Sequence, residues 1–229
     1  MEGCEAVNLI EYPDSEMMMI DLANRIAGEL SSRLLHEETA SFAVPGGTTP
    51  GPLFDALCDA DLDWTRVHVM LTDERWVPES HERSNTRLLR KHLLTERAAD
   101  AVYVPLYREA ETPEDVIDDL IAAVTPELPI SVLLLGMGAD LHTASLFPGA
   151  DRLEEALRRD APPVMAMRAP GAPEPRVTLT APVLTDALSA HVIITGEEKR
   201  WALEGARGAA PTEAPISLVL NDATVHWAP

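Results

Sequence analysis

An aspartate and a histidine, Asp140 and His142, lie two residues apart in the segment LLLGMGADLH. The apolar run predicts a buried strand, and the two glycines that follow it predict a sharp turn at its carboxyl end. Ligands of open α/β sheets bind beyond the carboxyl ends of the strands. A histidine after a strand is often structural or solvated, but at that edge the pair is a candidate proton-transfer site.

A glycine-rich segment, PGGTTP at residues 45–50, follows a predicted strand at 41–44. Thr49 is predicted to cap a helix whose first residue is Pro50. Converging backbone N–H groups and the helix dipole favour a phosphate at such a loop, although an ordinary tight turn has the same composition. It is not a Walker loop, because no Gly-Lys-Ser/Thr follows. The candidate anion-binding residues are Gly46, Gly47, Thr48 and Thr49.

Polar side chains also follow the predicted strand at 67–71, in the segment TDERW. Asp73 and Arg75 are candidate substrate contacts. We expect Asp73 or Glu74 to form an ion pair with Arg75 that holds the loop. Further along the chain, Arg176 begins a predicted strand and Lys199 lies in the first turn of a predicted helix.

Strands alternate with helices along the whole chain, which predicts a three-layer, Rossmann-like α/β fold with a mostly parallel sheet and helices on both faces. No linker interrupts residues 1–229, so one domain is expected. Strands are predicted at 41–44, 67–71, 102–106, 130–135, 164–167, 176–180, 191–196 and 216–220, the last pairing with 224–227. Helices are predicted at 14–37, 50–57, 85–93, 112–125, 152–159, 182–188 and 197–207. The strand at 176–180 alternates polar and apolar residues, which predicts one exposed face.

The chain carries a net charge of −20, from 18 basic and 38 acidic side chains. Nucleic acids and anionic membranes require a basic face, so neither is an expected partner. An anionic ligand would require a local positive site. The two cysteines and seven histidines show no metal-ligand spacing, and no signal peptide or membrane-spanning stretch is evident. A cytoplasmic enzyme is the expectation.

Five segments together resemble the 6-phosphogluconolactonases in identity and in order. They are 46–50 (GGTTP), 72–75 (TDER) with Ser84 and Asn85, 136–149, 176–180 (RVTLT) and 196–199 (GEEK). The match covers nearly the whole chain, and HTASLFPG at 142–149 is its most specific part. The resemblance implies hydrolysis of 6-phospho-D-glucono-1,5-lactone, the second step of the oxidative pentose phosphate pathway, with no metal and no organic cofactor.

That reaction needs a base for water, a group that stabilises the tetrahedral oxyanion, and a clamp on the phosphate. A neutral imidazole suits the first task, so His142 is the candidate base, with Asp140 or Asp73 orienting it or the substrate hydroxyls. The phosphate clamp and the oxyanion stabiliser are drawn from three cations and the glycine-rich loop. Those cations are Arg75, Arg176 and Lys199.

One residue departs from the family pattern: Leu141 stands where the family usually has glycine. If position 141 needs a positive φ, leucine costs ~1–2 kcal/mol and could displace His142. Two alternatives remain. Amino-sugar-phosphate deaminase-isomerases resemble this chain, but they carry a glutamate five residues after the histidine, where this chain has Phe147. A non-catalytic sugar-phosphate-binding module is the other.

Overall fold

The computed structural model describes residues 7–229. Seven parallel strands form the central sheet in the order β1-β10-β9-β6-β2-β3-β5. Their bounds are β1 Asn8–Glu11, β2 Ala40–Val44, β3 Val67–Leu71, β5 Val102–Val104, β6 Val132–Gly136, β9 Ala190–Thr195 and β10 Thr224–Ala228. This order confirms the predicted α/β class.

The central strands are apolar because both faces of the sheet are covered. All five residues of β2 are buried, although successive side chains point to opposite faces. The covering helices are α1 Ser15–Leu34, α2 Gly51–Leu57, α3 Asn85–His92, α4 Ile117–Val124, α5 Leu153–Ala156, α6 Ala181–Thr185 and α7 Glu197–Ala206. Because the strands are parallel, their carboxyl ends lie along one edge of the sheet.

Three short strands form a second, antiparallel sheet in the order β4-β8-β7. They are β4 Asp73–Arg75, β7 Val164–Met167 and β8 Arg176–Leu179. The predicted exposed face of residues 176–180 is wrong, since every residue after Arg176 in β8 is buried. The second sheet brings Arg176 opposite Arg75, although 101 positions separate them in the sequence.

Two α-helices begin with a side-chain cap. The carboxylate of Asp14 accepts a hydrogen bond from the Met17 N–H, and the Ser84 hydroxyl accepts one from the Arg87 N–H. Thr49 does not cap α2. That helix begins at Gly51, one residue later than predicted, with Pro50 at the N-cap position, no side-chain cap, and Pro52 inside its first turn. Either proline suits the start of a helix, so the pattern alone did not distinguish them.

The end of the chain differs from the prediction. Residues Pro215–Leu218 form a 3-10 turn rather than a strand, and β10 alone enters the sheet, between β9 and β1. The four-residue edge strand β1 was not predicted. Among residues 7–229, no helix is both long and apolar enough to cross a membrane.

Candidate active site

A cavity of about 220 Å³ opens at the carboxyl ends of β2, β3, β6 and β9. Eight of the ten candidate residues line it: Gly46, Gly47, Thr49, Asp73, Arg75, His142, Arg176 and Lys199. The other two, Thr48 and Asp140, do not. Thr48 is exposed, and its carbonyl accepts a hydrogen bond from the Gly51 N–H. Asp140 contacts Nδ1 of His142 through its Oδ1 and is not one of the residues that line the cavity.

The loop that follows β6 holds His142 by tight local bonding. The Gly138 N–H donates to the His142 carbonyl, and the Leu141 N–H donates to the Gly138 carbonyl. A Cβ atom at position 138 would overlap both the His142 ring and the Asp140 carboxylate, so this close approach requires glycine. Leu141 adopts φ +67°, the left-handed conformation that glycine favours. Leucine therefore keeps the backbone shape of the loop, and His142 still faces the cavity.

The imidazole of His142 is oriented through one nitrogen. Nδ1 lies 2.5 Å from Asp140 Oδ1. Because a carboxylate accepts hydrogen bonds, this contact favours the neutral tautomer that carries the proton on Nδ1 and the lone pair on Nε2. Nε2 has no hydrogen-bond partner among the residues that the structure describes. The ring also stacks on Phe147, with 4.0 Å between ring centroids.

Arg176 is a buried guanidinium with few protein partners. Its side chain is 11% exposed, and Nη1 donates to the Asp73 carboxylate at 3.5 Å and to the Ser145 hydroxyl at 3.3 Å. Its Nε is buried without a partner in the described part of the chain. Burial lowers the pKa of Arg176 from its ordinary value, and the charge of Asp73 opposes that shift. A cation with unused donors beside a cavity suits an anionic ligand.

The predicted ion pair between Arg75 and a neighbouring carboxylate is wrong. Arg75 Nη1 donates to the Arg83 carbonyl instead. The Glu74 carboxylate is fully buried and accepts backbone N–H bonds from Arg75, Asn85 and Thr86. The Ser84 and Thr86 hydroxyls add two more. Burial raises the pKa of Glu74, and these bonds oppose that rise. Glu74 thus joins β4 to the start of α3.

Asn85 also lines the cavity, although it was not among the predicted site residues and appeared only in a segment that resembles the family. Its Nδ2 donates to the Asp73 carbonyl at 3.0 Å, and its carboxamide packs against Gly46. Any Cβ at position 46 would overlap that carboxamide. Gly46 is therefore required for close packing of the glycine-rich loop against α3.

The charged groups that line the cavity are mostly cationic. Three cations, Arg75, Arg176 and Lys199, face one carboxylate, Asp73. This is the local positive site that an anionic ligand would need in a chain of net charge −20. Within residues 7–229, no group of three or more His, Cys, Asp or Glu side chains could hold a metal ion.

Comparison with known proteins agrees with this geometry over nearly the whole chain. Residues 13–227 match the family model described as "Glucosamine-6-phosphate isomerases/6-phosphogluconolactonase". The 6-phosphogluconolactonase of Rhizobium meliloti (strain 1021) is 43% identical over 98% of this chain and 100% of its own length. That of Mesorhizobium japonicum is 42% identical over 95% of this chain and 94% of its own length.

A solved structure has the same fold. The crystal structure of a 6-phosphogluconolactonase from Shewanella baltica OS155 superposes with a TM-score of 0.95 at 31% sequence identity, covering 99% of each chain. The identities, the coverage and the shared fold lead to one conclusion. The chain belongs to the glucosamine-6-phosphate isomerase/6-phosphogluconolactonase family and, within it, to the 6-phosphogluconolactonases.

Proposed function

We propose that the protein hydrolyses 6-phospho-D-glucono-1,5-lactone to 6-phospho-D-gluconate, with His142 as the general base. The observation that carries this proposal is the free Nε2 of His142 in a cavity that also contains three cations. A base for water and a positive site for the phosphate are the two things that this hydrolysis needs in one place.

The proposed reaction begins when Nε2 of His142 takes a proton from a water molecule as the water oxygen attacks the lactone carbonyl carbon. Negative charge collects on the carbonyl oxygen in the tetrahedral intermediate. When that intermediate collapses, the bond between the carbonyl carbon and the ring oxygen breaks. The imidazolium then returns its proton to the ring oxygen, which becomes a hydroxyl group. Asp140 stabilises the imidazolium between the two transfers.

Binding depends on charge. Lys199, Arg75 and Arg176 provide the positive charge for the phosphate and for the oxyanion, and the backbone N–H groups of residues 46–49 add to the phosphate site. Charge-assisted hydrogen bonds to a phosphate hold the lactone carbon against the water, and this positioning contributes much of the rate.

Phe147 distinguishes this proposal from the deaminase-isomerase alternative. The resemblance to those enzymes assigns ring opening to a glutamate at this position, and a phenylalanine has no proton to donate. The aromatic ring instead stacks on the candidate base.

The small-molecule lactone is the only partner that we propose. We also propose that the chain forms one domain, since strands from residues 8 to 228 enter one sheet. A cytoplasmic location stays a prediction.

One assay distinguishes the three candidate functions, which are lactonase, deaminase-isomerase and non-catalytic binding module. The protein is incubated with freshly prepared 6-phosphogluconolactone, acid release is followed, and the spontaneous opening of the lactone is subtracted. The proposed enzyme accelerates acid release. A deaminase would instead liberate ammonia from glucosamine 6-phosphate, and a binding module would do neither. Ammonia release without lactone hydrolysis would overturn the proposal.

A further inference from the structure

An imidazole needs two contacts before the direction of its free nitrogen is determined. The ring turns about two torsion angles, χ1 and χ2, and a hydrogen bond at Nδ1 restrains one distance, so a concerted change of the two angles can still tilt the ring. For His142 this bond is the one to Asp140 Oδ1. A second contact must set the plane of the ring, because the plane decides where the Nε2 lone pair points.

Phe147 makes that second contact. Its ring centroid lies 4.0 Å from that of His142, and the two planes are inclined by only 26°, so the rings are stacked face to face. The Arg176 guanidinium carbon lies over the Phe147 ring, 5.0 Å from its centroid. Arg176 is itself held by Asp73 and Ser145. The phenyl ring is therefore restrained from a second element, β8, and is a firm surface for the imidazole.

We propose that Phe147 is a positioning residue that sets the ring plane of His142, so that Nε2 points into the cavity where the attacking water would bind. This inference rests on the proposed function, since it assigns Phe147 a part in the same proton transfer. Phe147 touches neither the water nor the lactone in this role. It acts only through His142.

The expected signature is a loss of kcat without a loss of binding. Misplacing a catalytic group by about 1 Å can cost ~10²-fold in rate. Arg176, the cation that contacts the Phe147 ring, also has hydrogen bonds to Asp73 and Ser145 that do not involve Phe147. Binding of the phosphate should therefore survive when the aromatic ring is removed.

The test uses three variants in the full-length protein. Phe147→Leu removes the flat aromatic face, and Phe147→Tyr keeps it. Phe42→Leu is the matched control, because it makes the same change at a fully buried residue of β2 that does not line the cavity. For Phe147→Leu we expect kcat to fall ~10–100-fold with KM within about threefold of the wild type. Phe147→Tyr and Phe42→Leu should keep kcat within about threefold.

The inference is overturned if Phe147→Leu keeps kcat within that threefold range. It is also overturned if Phe147→Tyr or Phe42→Leu loses as much kcat as Phe147→Leu does. An NMR measurement decides independently of catalysis. Stacking on a phenyl ring shifts the carbon-bound ring protons of His142 upfield, and Phe147→Leu should abolish that shift. A wild-type protein without lactonase activity would overturn the proposed function, whereas an unchanged shift would overturn only the role of Phe147.

Discussion

Among the residues that the structure describes, four histidines contact a carboxylate: His68, His92, His142 and His191. Two of these contacts have contrasting surroundings, because His142 lines the cavity described above and His191 is buried. In the buried region, between α1 and strands β9 and β10, every ring nitrogen has a partner. Tyr12 Oη lies 3.0 Å from His226 Nδ1, and His226 Nε2 lies 3.1 Å from His191 Nδ1. His191 Nε2 lies 3.0 Å from Glu29 Oε2. This chain of polar groups is saturated.

His142 makes the same kind of imidazole–carboxylate contact, but its second ring nitrogen, Nε2, has no hydrogen-bond partner among the described residues. Its Nε2 faces a cavity, and nearby cations have unused donors. The difference shows that a short bond from histidine to a carboxylate does not by itself indicate a base. A base also needs a free lone pair and space for the molecule whose proton it takes. By that criterion the buried pair is assigned to the fold, and His142 is the proposed base.

The substitution with the largest expected effect tests whether His142, rather than the buried histidines, takes part in catalysis. His142→Asn should lower kcat by ~10²–10⁴-fold and leave KM nearly unchanged, because the amide cannot accept the proton from water. In the buried region, His226→Gln should keep kcat within about twofold at neutral pH. Steady-state kinetics, corrected for spontaneous lactone opening, measure both. An unchanged kcat in His142→Asn would remove His142 from the mechanism.

The buried region should instead control stability in acid. Burial and the neighbouring His191 lower the pKa of His226 to about 3, against an ordinary value of 6.5, while Asp21 and Glu29 oppose the shift and Arg25 adds to it. Below pH 6.5 the unfolded chain binds a proton that the folded chain does not, so stability falls as the pH drops from about 6.5 towards 3. Between pH 6.5 and 5 we expect a loss of about 2 kcal/mol.

Urea unfolding of the wild type and of His226→Gln at several pH values measures this loss. The variant lacks the group that titrates, so its free energy of unfolding should change less between pH 6.5 and 5. Equal slopes in the two proteins would show that His226 does not carry the acid sensitivity.

The charge of the cavity can be tested with a matched pair of substitutions. The chain has two lysines, Lys199 at the cavity and Lys91 exposed on α3. Lys199→Ala should mainly raise KM, by ~10–100-fold, because a charge-assisted hydrogen bond is worth about 1.5–3 kcal/mol. Lys91→Ala removes the same charge elsewhere and should leave KM unchanged. An equal rise in both variants would indicate a long-range effect of net charge rather than a phosphate contact.

The smallest expected effect concerns Leu141. Its φ of +67° costs ~1–2 kcal/mol, which Leu141→Gly would relieve, while the lost packing and the greater freedom of the unfolded chain oppose that gain. We expect the free energy of unfolding to change by less than about 1 kcal/mol and kcat to stay within about threefold. Leu141→Val should be clearly less stable than Leu141→Gly, because β-branched residues disfavour positive φ. Thermal unfolding compares the three proteins.

Much of the fold follows from local patterns. The four-residue spacing of Met18, Leu22 and Ile26 predicts α1, and the apolar run at 67–71 matches β3 without change. Local patterns did not predict the structure of short apolar runs, whose composition suits either a strand or a turn. The apolar run at 216–220 predicts a strand, yet Pro215–Leu218 form a 3-10 turn, and β10 takes the place between β9 and β1.

The candidate site divides in the same way. Glycines, a histidine and polar residues at the ends of predicted strands identify most of the residues that line the cavity, since strand ends are readable from periodicity. The contacts that these residues make with one another cannot be derived from periodicity. Asp73 bonds to Ser145 and lies against Arg176, rather than pairing with Arg75, and Glu74 is buried among backbone N–H groups.

The amino-acid sequence alone thus specifies which elements form, in what order, and which chemical groups each turn carries, because periodicity, glycine and capping residues act over a few positions. Only the folded chain decides which of those groups meet. Crossover connections bring residues 46, 73, 142, 176 and 199 to one cavity. The plane of the His142 ring depends on Phe147 and, through it, on Arg176 from another sheet. Contacts between such distant positions leave no periodic signal in a single sequence.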